Sequence, residues 1–138
     1  LGIEPRVAMV SFSNFGSAKH NETRRVSDAV DLVRAADPDL EIDGEMQADT
    51  AVDAVKLRDT YPFTYLEGPA NVLIFPRLSA ANSAYKLLDR LGGADIIGPV
   101  LLGMAKPVHI LQRGCAIQAV VDLATVASVD WQARKNEI

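Results

Sequence analysis

Apolar runs of strand length alternate along this chain with stretches of helical periodicity, and that alternation leaves few folds open to it. Val7 to Phe12 is one such run, Asn71 to Pro76 a second, and Ile96 to Leu102 a third, interrupted by Gly98-Pro99. Strands without polar alternation are buried on both faces, which is the habit of parallel sheets. Between them, Val26, Val30 and Val33 recur at helical spacing from Thr23 onward, with Arg24, Arg25, Asp28, Asp31 and Arg34 on the other faces. Asp37-Pro38-Asp39 ends that helix, because proline disfavours helical geometry in the residue before it. Leu40 to Asp43 reads as a short strand and Asp43 to Gln47 as a loop. Asp49 or Thr50 is placed to cap a helix running through Leu57. Tyr61-Pro62-Phe63 and Gly68-Pro69 punctuate an irregular connection. Ala84, Leu87, Leu88 and Leu91 mark a helix closed by Gly92-Gly93. Val108 to Leu111 reads as a short strand, and Ile117, Val120, Val121, Ala124 and Ala127 line a last helix. The pattern predicts an α/β fold: a mostly parallel sheet with helices on both faces, an α/β/α arrangement. We expect one domain over residues 1–138, with a main α/β layer to 105 and a C-terminal loop and helix over 106–138.

Composition narrows the partners. With 49% hydrophobic and 23% charged residues the chain can form a real core, and its net charge of −4 argues against a broad nucleic-acid footprint. No apolar run approaches the ~20 residues of a membrane-spanning helix, and no signal-like segment opens the chain. The single cysteine, Cys115, excludes an internal disulfide and is compatible with a reducing cytoplasm, the expected location. The chain begins Leu1-Gly2-Ile3-Glu4-Pro5 without methionine, which we read as a piece of a longer polypeptide.

Lys106 to Cys115 is the stretch richest in ligand-binding chemistry. It lies between an apolar run and a helical pattern, where α/β proteins place their sites. Lys106 and Arg113 supply a cation near each end, suited to phosphate or carboxylate. His109 and Gln112 lie between them, with no acid and no hydroxyl, which favours binding over turnover. Ser13, Asn14, Gly16 and Ser17 form a second candidate, a loop just before a helix. Backbone N–H groups there suit an anion, although the loop by itself reads first as an ordinary glycine turn with a serine cap. Asp43-Gly44-Glu45 offers paired carboxylates for acid–base work or a metal, or for orienting a loop through hydrogen bonds. His20 and His109 stand far apart and belong to no spaced ligand cluster, so no metal site is expected. Cys115 reads as a small buried residue, and the Leu and Val stripes as core.

Taken in order, Val10 to Ser17, Asp43 to Asp49, Ala70 to Pro76, Ala80 to Lys86, Ile97 to Gly103 and Lys106 to Val108 resemble the C-terminal part of the phosphate acetyl/butyryl transferase family. The resemblance implies the two-layered phosphotransacetylase fold, which is like that of isocitrate and isopropylmalate dehydrogenases. Active transferases read roughly KPVNDLSRGC where this chain has Lys106 to Cys115. Their Asn, Asp and Ser positions hold His109, Ile110 and Gln112 here, and the aspartate of the following helix falls at about Ala119. Of the serine, arginine and aspartate that serve the reaction, only Arg113 is kept. If the chain is a transferase, Arg113 is the residue expected to be catalytic.

Ser13 to Ser17, Asp43 to Ala51 and Pro107 to Gln112 also resemble the appended domain of bacterial NADP-dependent malic enzymes. That resemblance implies a regulatory and oligomerisation domain that senses acetyl-CoA, with no transferase activity of its own. NADP and a divalent metal would then belong only to an N-terminal part outside this chain. Ser13, Asn14, Gly16, Ser17, Lys106, His109, Gln112 and Arg113 would contact acetyl-CoA or a related acyl-CoA or acyl phosphate, in a homo-oligomer without nucleic acid or membrane. Two alternatives stand beside it: an active phosphate acetyltransferase moving acetyl between CoA and phosphate, and a purely structural oligomerisation domain.

Overall fold

The computed structural model describes residues 2–136 and separates into two compact units, Gly2–Lys86 and a second from Leu87 onward. The first unit holds the sheet. β1 (Arg6–Val10), β2 (Glu41–Met46) and β3 (Val72–Ile74) run parallel in the order β2-β1-β3. α1 (Asn21–Ala36) crosses from β1 to β2, and two short helices, α2 (Ala48–Ala51) and α3 (Ala54–Thr60), lie on the way to β3. The chain thus leaves β1 first to one side and then returns to the other. With right-handed crossovers, that puts α1 on one face and α2 and α3 on the opposite face. Burial agrees, because the adjacent residues Val7 and Ala8 of β1 are both covered. Ala8 packs with Met46, Ala51, Leu57 and Leu66, and Thr23, Val26 and Val30 form the buried stripe of α1. The α/β prediction stands, on a small sheet of three strands.

Several local expectations are corrected. Asp43 to Met46 is strand, not loop, because its backbone pairs with β1 from Ala8 to Val10. The helix expected through Leu57 is split in two, and Asp53, rather than Asp49 or Thr50, caps the second piece through the N–H groups of Val55 and Lys56, both at 2.9 Å. In the second unit, neither Ile96 to Leu102 nor Val108 to Leu111 forms a strand. Pro99 lacks an N–H, Gly98 sits at φ 144°, and no neighbouring strand within this unit completes a ladder among the described residues. α4 (Leu78–Gly92) and α5 (Ile117–Asn136) form as expected. Their apolar stripes are not core, however. Leu91 is 82% exposed and Ile117 85%, and Leu123 is the one buried apolar residue among the described residues of the second unit. The boundary between the two units falls inside α4.

Candidate functional site

The register between β1 and β2 slips once, so that Met9 faces Gly44 while Val10 faces Met46 and Glu45 has no partner of its own. Such a bulge re-aims a side chain. Gly44 makes it possible. It sits at φ 143°, and a Cβ built there would lie 2.6 Å from the Met9 carbonyl oxygen. No side chain fits against a central strand at that distance. Gly44→Ala is therefore expected to cost about 3 kcal/mol, combining overpacking with a disfavoured φ. Urea unfolding checks this, and an unchanged midpoint would refute it.

The bulge delivers the buried Glu45 carboxylate to the loop that follows β1. Its Oε1 accepts the Ser13 hydroxyl at 2.9 Å and the Gly16 N–H at 2.6 Å. The rest of the loop closes on itself. The Ala18 N–H donates to Ser13 Oγ at 3.0 Å, the Asn14 N–H to Ser17 Oγ at 3.0 Å, and the Phe15 N–H to the Glu45 carbonyl at 2.8 Å. Asn14 clasps Gln47: its Oδ1 accepts the Gln47 N–H at 2.7 Å and its Nδ2 donates to Gln47 Oε1 at 3.2 Å. The backbone donors from Asn14 to Ala18 are thus all engaged within the protein. What this loop can offer a ligand is its exposed rim at Gly16 and Ser17.

Asp43 serves a different set of partners. Its Oδ1 accepts Arg34 Nη2 at 2.7 Å and the Gly44 N–H at 2.8 Å, and its Oδ2 accepts the Thr64 hydroxyl at 2.7 Å and the Tyr65 N–H at 2.8 Å. The two carboxylates of Asp43-Gly44-Glu45 therefore organise two separate loops, which is the orienting role weighed from the sequence. Among the described residues no three His, Cys, Asp or Glu side chains gather as a metal site.

The first unit brings Ser13, Asn14, Gly16 and Ser17 together. The second unit carries Lys106, His109, Gln112 and Arg113 on one irregular segment. Lys106 and Arg113 are exposed, and neither has a hydrogen bond or ion pair among the described residues. His109 is partly buried. Its Nδ1 accepts the Leu101 N–H at 3.4 Å, and its Nε2 is buried with no hydrogen-bond partner among the described residues. The Cys115 N–H donates to the Gln112 carbonyl at 3.1 Å, a turn that leads into α5. Cys115 is exposed, correcting the expected burial. Within α5, the Arg134 guanidinium hydrogen-bonds Asp130 at 2.8 Å and holds its carboxyl below the usual range. Lys19 and Arg24, which the sequence does not single out, line an open cleft beside Glu45. The adjacency of Lys19-His20 to the Ser13–Ser17 loop was the available signal.

Comparison with known proteins supplies the context. The family model described as phosphate acetyl/butaryl transferase matches residues 1–128. A phosphate acetyltransferase of Paracoccus denitrificans is 45% identical over 130 residues, 94% of this chain and 41% of the relative. That of Bacillus subtilis is 44% identical over 126 residues, 91% of this chain and 39% of the relative. Among solved structures, the EutD phosphotransacetylase from Staphylococcus aureus superposes with a TM-score of 0.85 at 44% identity, over 94% of this chain and 40% of that one. A phosphotransacetylase from Streptococcus pyogenes gives 0.86 at 38% identity, over 93% and 39%. The chain thus spans about two-fifths of the length of the relatives it matches. These matches overturn the expectation of a malic-enzyme regulatory domain and of oxidoreductase parentage, because relatives similar over nine-tenths of the chain are phosphate acetyltransferases. No helix among the described residues is long and apolar enough to cross a membrane.

Proposed function

Because this chain belongs to the phosphate acetyl/butyryl transferase family, we propose that it forms part of a phosphate acetyltransferase, passing an acetyl group between the sulfur of coenzyme A and an oxygen of phosphate. The carrying observation is the Lys106–Cys115 segment in its family context: it presents Lys106 and Arg113 exposed and, among the described residues, without an ion pair, which suits an anionic ligand. A guanidinium matches two phosphate oxygens at once, while an ammonium serves as a point charge. Arg113 is thus assigned to the phosphate or acyl-phosphate oxygens, where charge shifts during transfer, and Lys106 to the same ligand's remaining charge. His109 and Gln112 line the segment as polar contacts. Ser13 and Asn14 fix the Ser13–Ser17 loop, and Gly16 and Ser17 form the rim it presents.

The segment departs from the family pattern at Gln112 and Ala119, where a hydroxyl and a carboxylate are expected, so this reading predicts slow transfer. The test is release of acetyl-CoA from acetyl phosphate and coenzyme A by the full-length protein. Measurable turnover that falls at least about tenfold in Arg113→Ala is expected. Turnover indifferent to Arg113 would sink the assignment, and no turnover at all would sink the function.

A further inference from the structure

Acetyl transfer to a thiol needs an acceptor for the thiol proton, and Lys106 to Cys115 holds no acid and no hydroxyl. Its one imidazole, His109, has Nδ1 engaged by the Leu101 N–H and Nε2 buried. The first unit carries an acid and two hydroxyls in series. Glu45 is 3% exposed and Ser13 is fully buried, whereas Ser17 lies exposed on the rim of its loop. The Ser13 hydroxyl reaches Glu45 Oε1 at 2.9 Å, and Ser13 Oγ lies 3.1 Å from Ser17 Oγ.

The direction of these bonds follows from counting protons. A hydroxyl has one proton and two lone pairs, and an ionised carboxylate only accepts. The Ser13 proton therefore goes to Glu45, and the bond between the two serines is donated by Ser17. Ser13 Oγ also accepts the Ala18 N–H at 3.0 Å, which fills its second lone pair. Ser17 Oγ accepts the Asn14 N–H at 3.0 Å and keeps one lone pair, while its own proton points inward. The rim thus offers a ligand an acceptor and no hydroxyl proton, which suits a group that gives up a proton rather than an anion. At the inner end, the Gly16 N–H donates to the same Glu45 oxygen at 2.6 Å and fixes the carboxylate.

We propose that Ser17, Ser13 and Glu45 form a proton relay that serves as the general base of transfer. Ser17 touches the substrate, and Ser13 and Glu45 act through it. As the thiol sulfur attacks the acetyl carbonyl carbon, its proton passes to Ser17 Oγ, the Ser17 proton to Ser13 Oγ, and the Ser13 proton to Glu45 Oε1. The carbon–sulfur bond forms, and the carbon–oxygen bond to phosphate breaks with its electron pair on oxygen. The proton then returns along the chain to the departing phosphate. The thiol comes from the acyl-transfer reading, whereas the direction of the relay rests on its hydrogen bonds alone.

The test is acetyl transfer by the full-length protein at varied coenzyme A. Glu45→Gln keeps an oxygen for Ser13 and Gly16, and Ser17→Ala changes an exposed side chain. Each is expected to lower kcat about hundredfold, with KM for coenzyme A within about threefold. The pair should lose no more than either alone, because the groups act as a unit. Ser17→Thr, which keeps the hydroxyl, should retain most of the activity. Rates in mixtures of light and heavy water should follow a bowed curve, as several protons move together, and a straight line in Glu45→Gln. If thermal unfolding shows Glu45→Gln misfolded, Ser17→Ala against Ser17→Thr decides. A loss below about tenfold in kcat, or one carried by KM alone, overturns the relay. If Arg113→Ala lowers transfer and the relay variants do not, only the relay fails. Hydrolysis of acetyl phosphate without coenzyme A is followed alongside, with water as the proton donor. If transfer is absent but this hydrolysis occurs and is lost in Ser17→Ala, only the acyl-transfer reading fails. No reaction of either kind overturns both.

Discussion

Replacing Asp43 by alanine is expected to lower stability by about 3 kcal/mol, because it removes a buried carboxylate on which four donors converge, although the Arg34 left behind is partly exposed. Asp43 is 4% exposed, and its two oxygens accept four donors. Two of these come from Thr64 and Tyr65, more than twenty residues along the chain. Without the carboxylate, Arg34 keeps the Ile42 carbonyl at 2.8 Å but loses its counter-charge, and Tyr65 loses the anchor that holds its ring 3.8 Å from the Arg34 guanidinium. Leu66, in the core cluster, follows directly on that segment. The damage should therefore reach the core rather than remain at one bond. Urea unfolding measures it, with Asp43→Asn recovering part of the loss by keeping an acceptor of the same shape. Asp59→Ala, in the exposed pair with Arg58, should leave the midpoint unmoved. A loss below about 1 kcal/mol for Asp43→Ala would refute the anchoring role.

Combining Gln112→Ser with Ala119→Asp is expected to raise acetyl transfer at least about hundredfold, the ordinary worth of acid–base assistance. Both positions can take the change. Gln112 is exposed in the turn before α5, and Ala119 lies half-exposed in the first turn of that helix. Neither substitution buries a new polar group, so folding should be unaffected. The two groups act as a unit, so the single variants should gain much less than the pair. Arg113→Ala in the doubly substituted background should remove the gain, because the restored groups work on a ligand that Arg113 holds. Unchanged turnover in the pair would show that Arg113 and its neighbours do not face the reacting atoms.

The fate of individual residues shows why some of this was legible in sequence and some was not. The stripe Val26, Val30 and Val33 announced α1 because its signal is local: four residues make one turn, and the burial of Val26 and Val30 follows. The run from Val7 announced β1 for the same reason. Ile96 to Leu102 carried an equally apolar signal and formed no strand, since a strand also needs a neighbour to complete its hydrogen bonds, and periodicity cannot reveal one. Asp43 to Gln47 misled in the other direction. A glycine between two acids looks like a turn by composition, yet here it lets β2 press against Met9. The family motifs from Val10 to Val108 were readable, and the family followed from them. The relatives that those motifs predicted did not include the malic-enzyme context that three of them suggested.

By itself the sequence determined the α/β class, the order of β1, α1, β2, α4 and α5, and the family, because each rests on patterns within a few residues or on ordered motifs. Only the tertiary structure decided what the polar residues do. Glu45 meets Ser13 and Gly16 across 32 and 29 positions, and Asp43 meets Thr64 and Tyr65 across 21 and 22. A carboxylate in the chain can serve as ligand, base or anchor. Which one it becomes depends on the donors that folding brings within about 3 Å, and on those it leaves, as at Lys106 and Arg113, without an ion pair among the described residues.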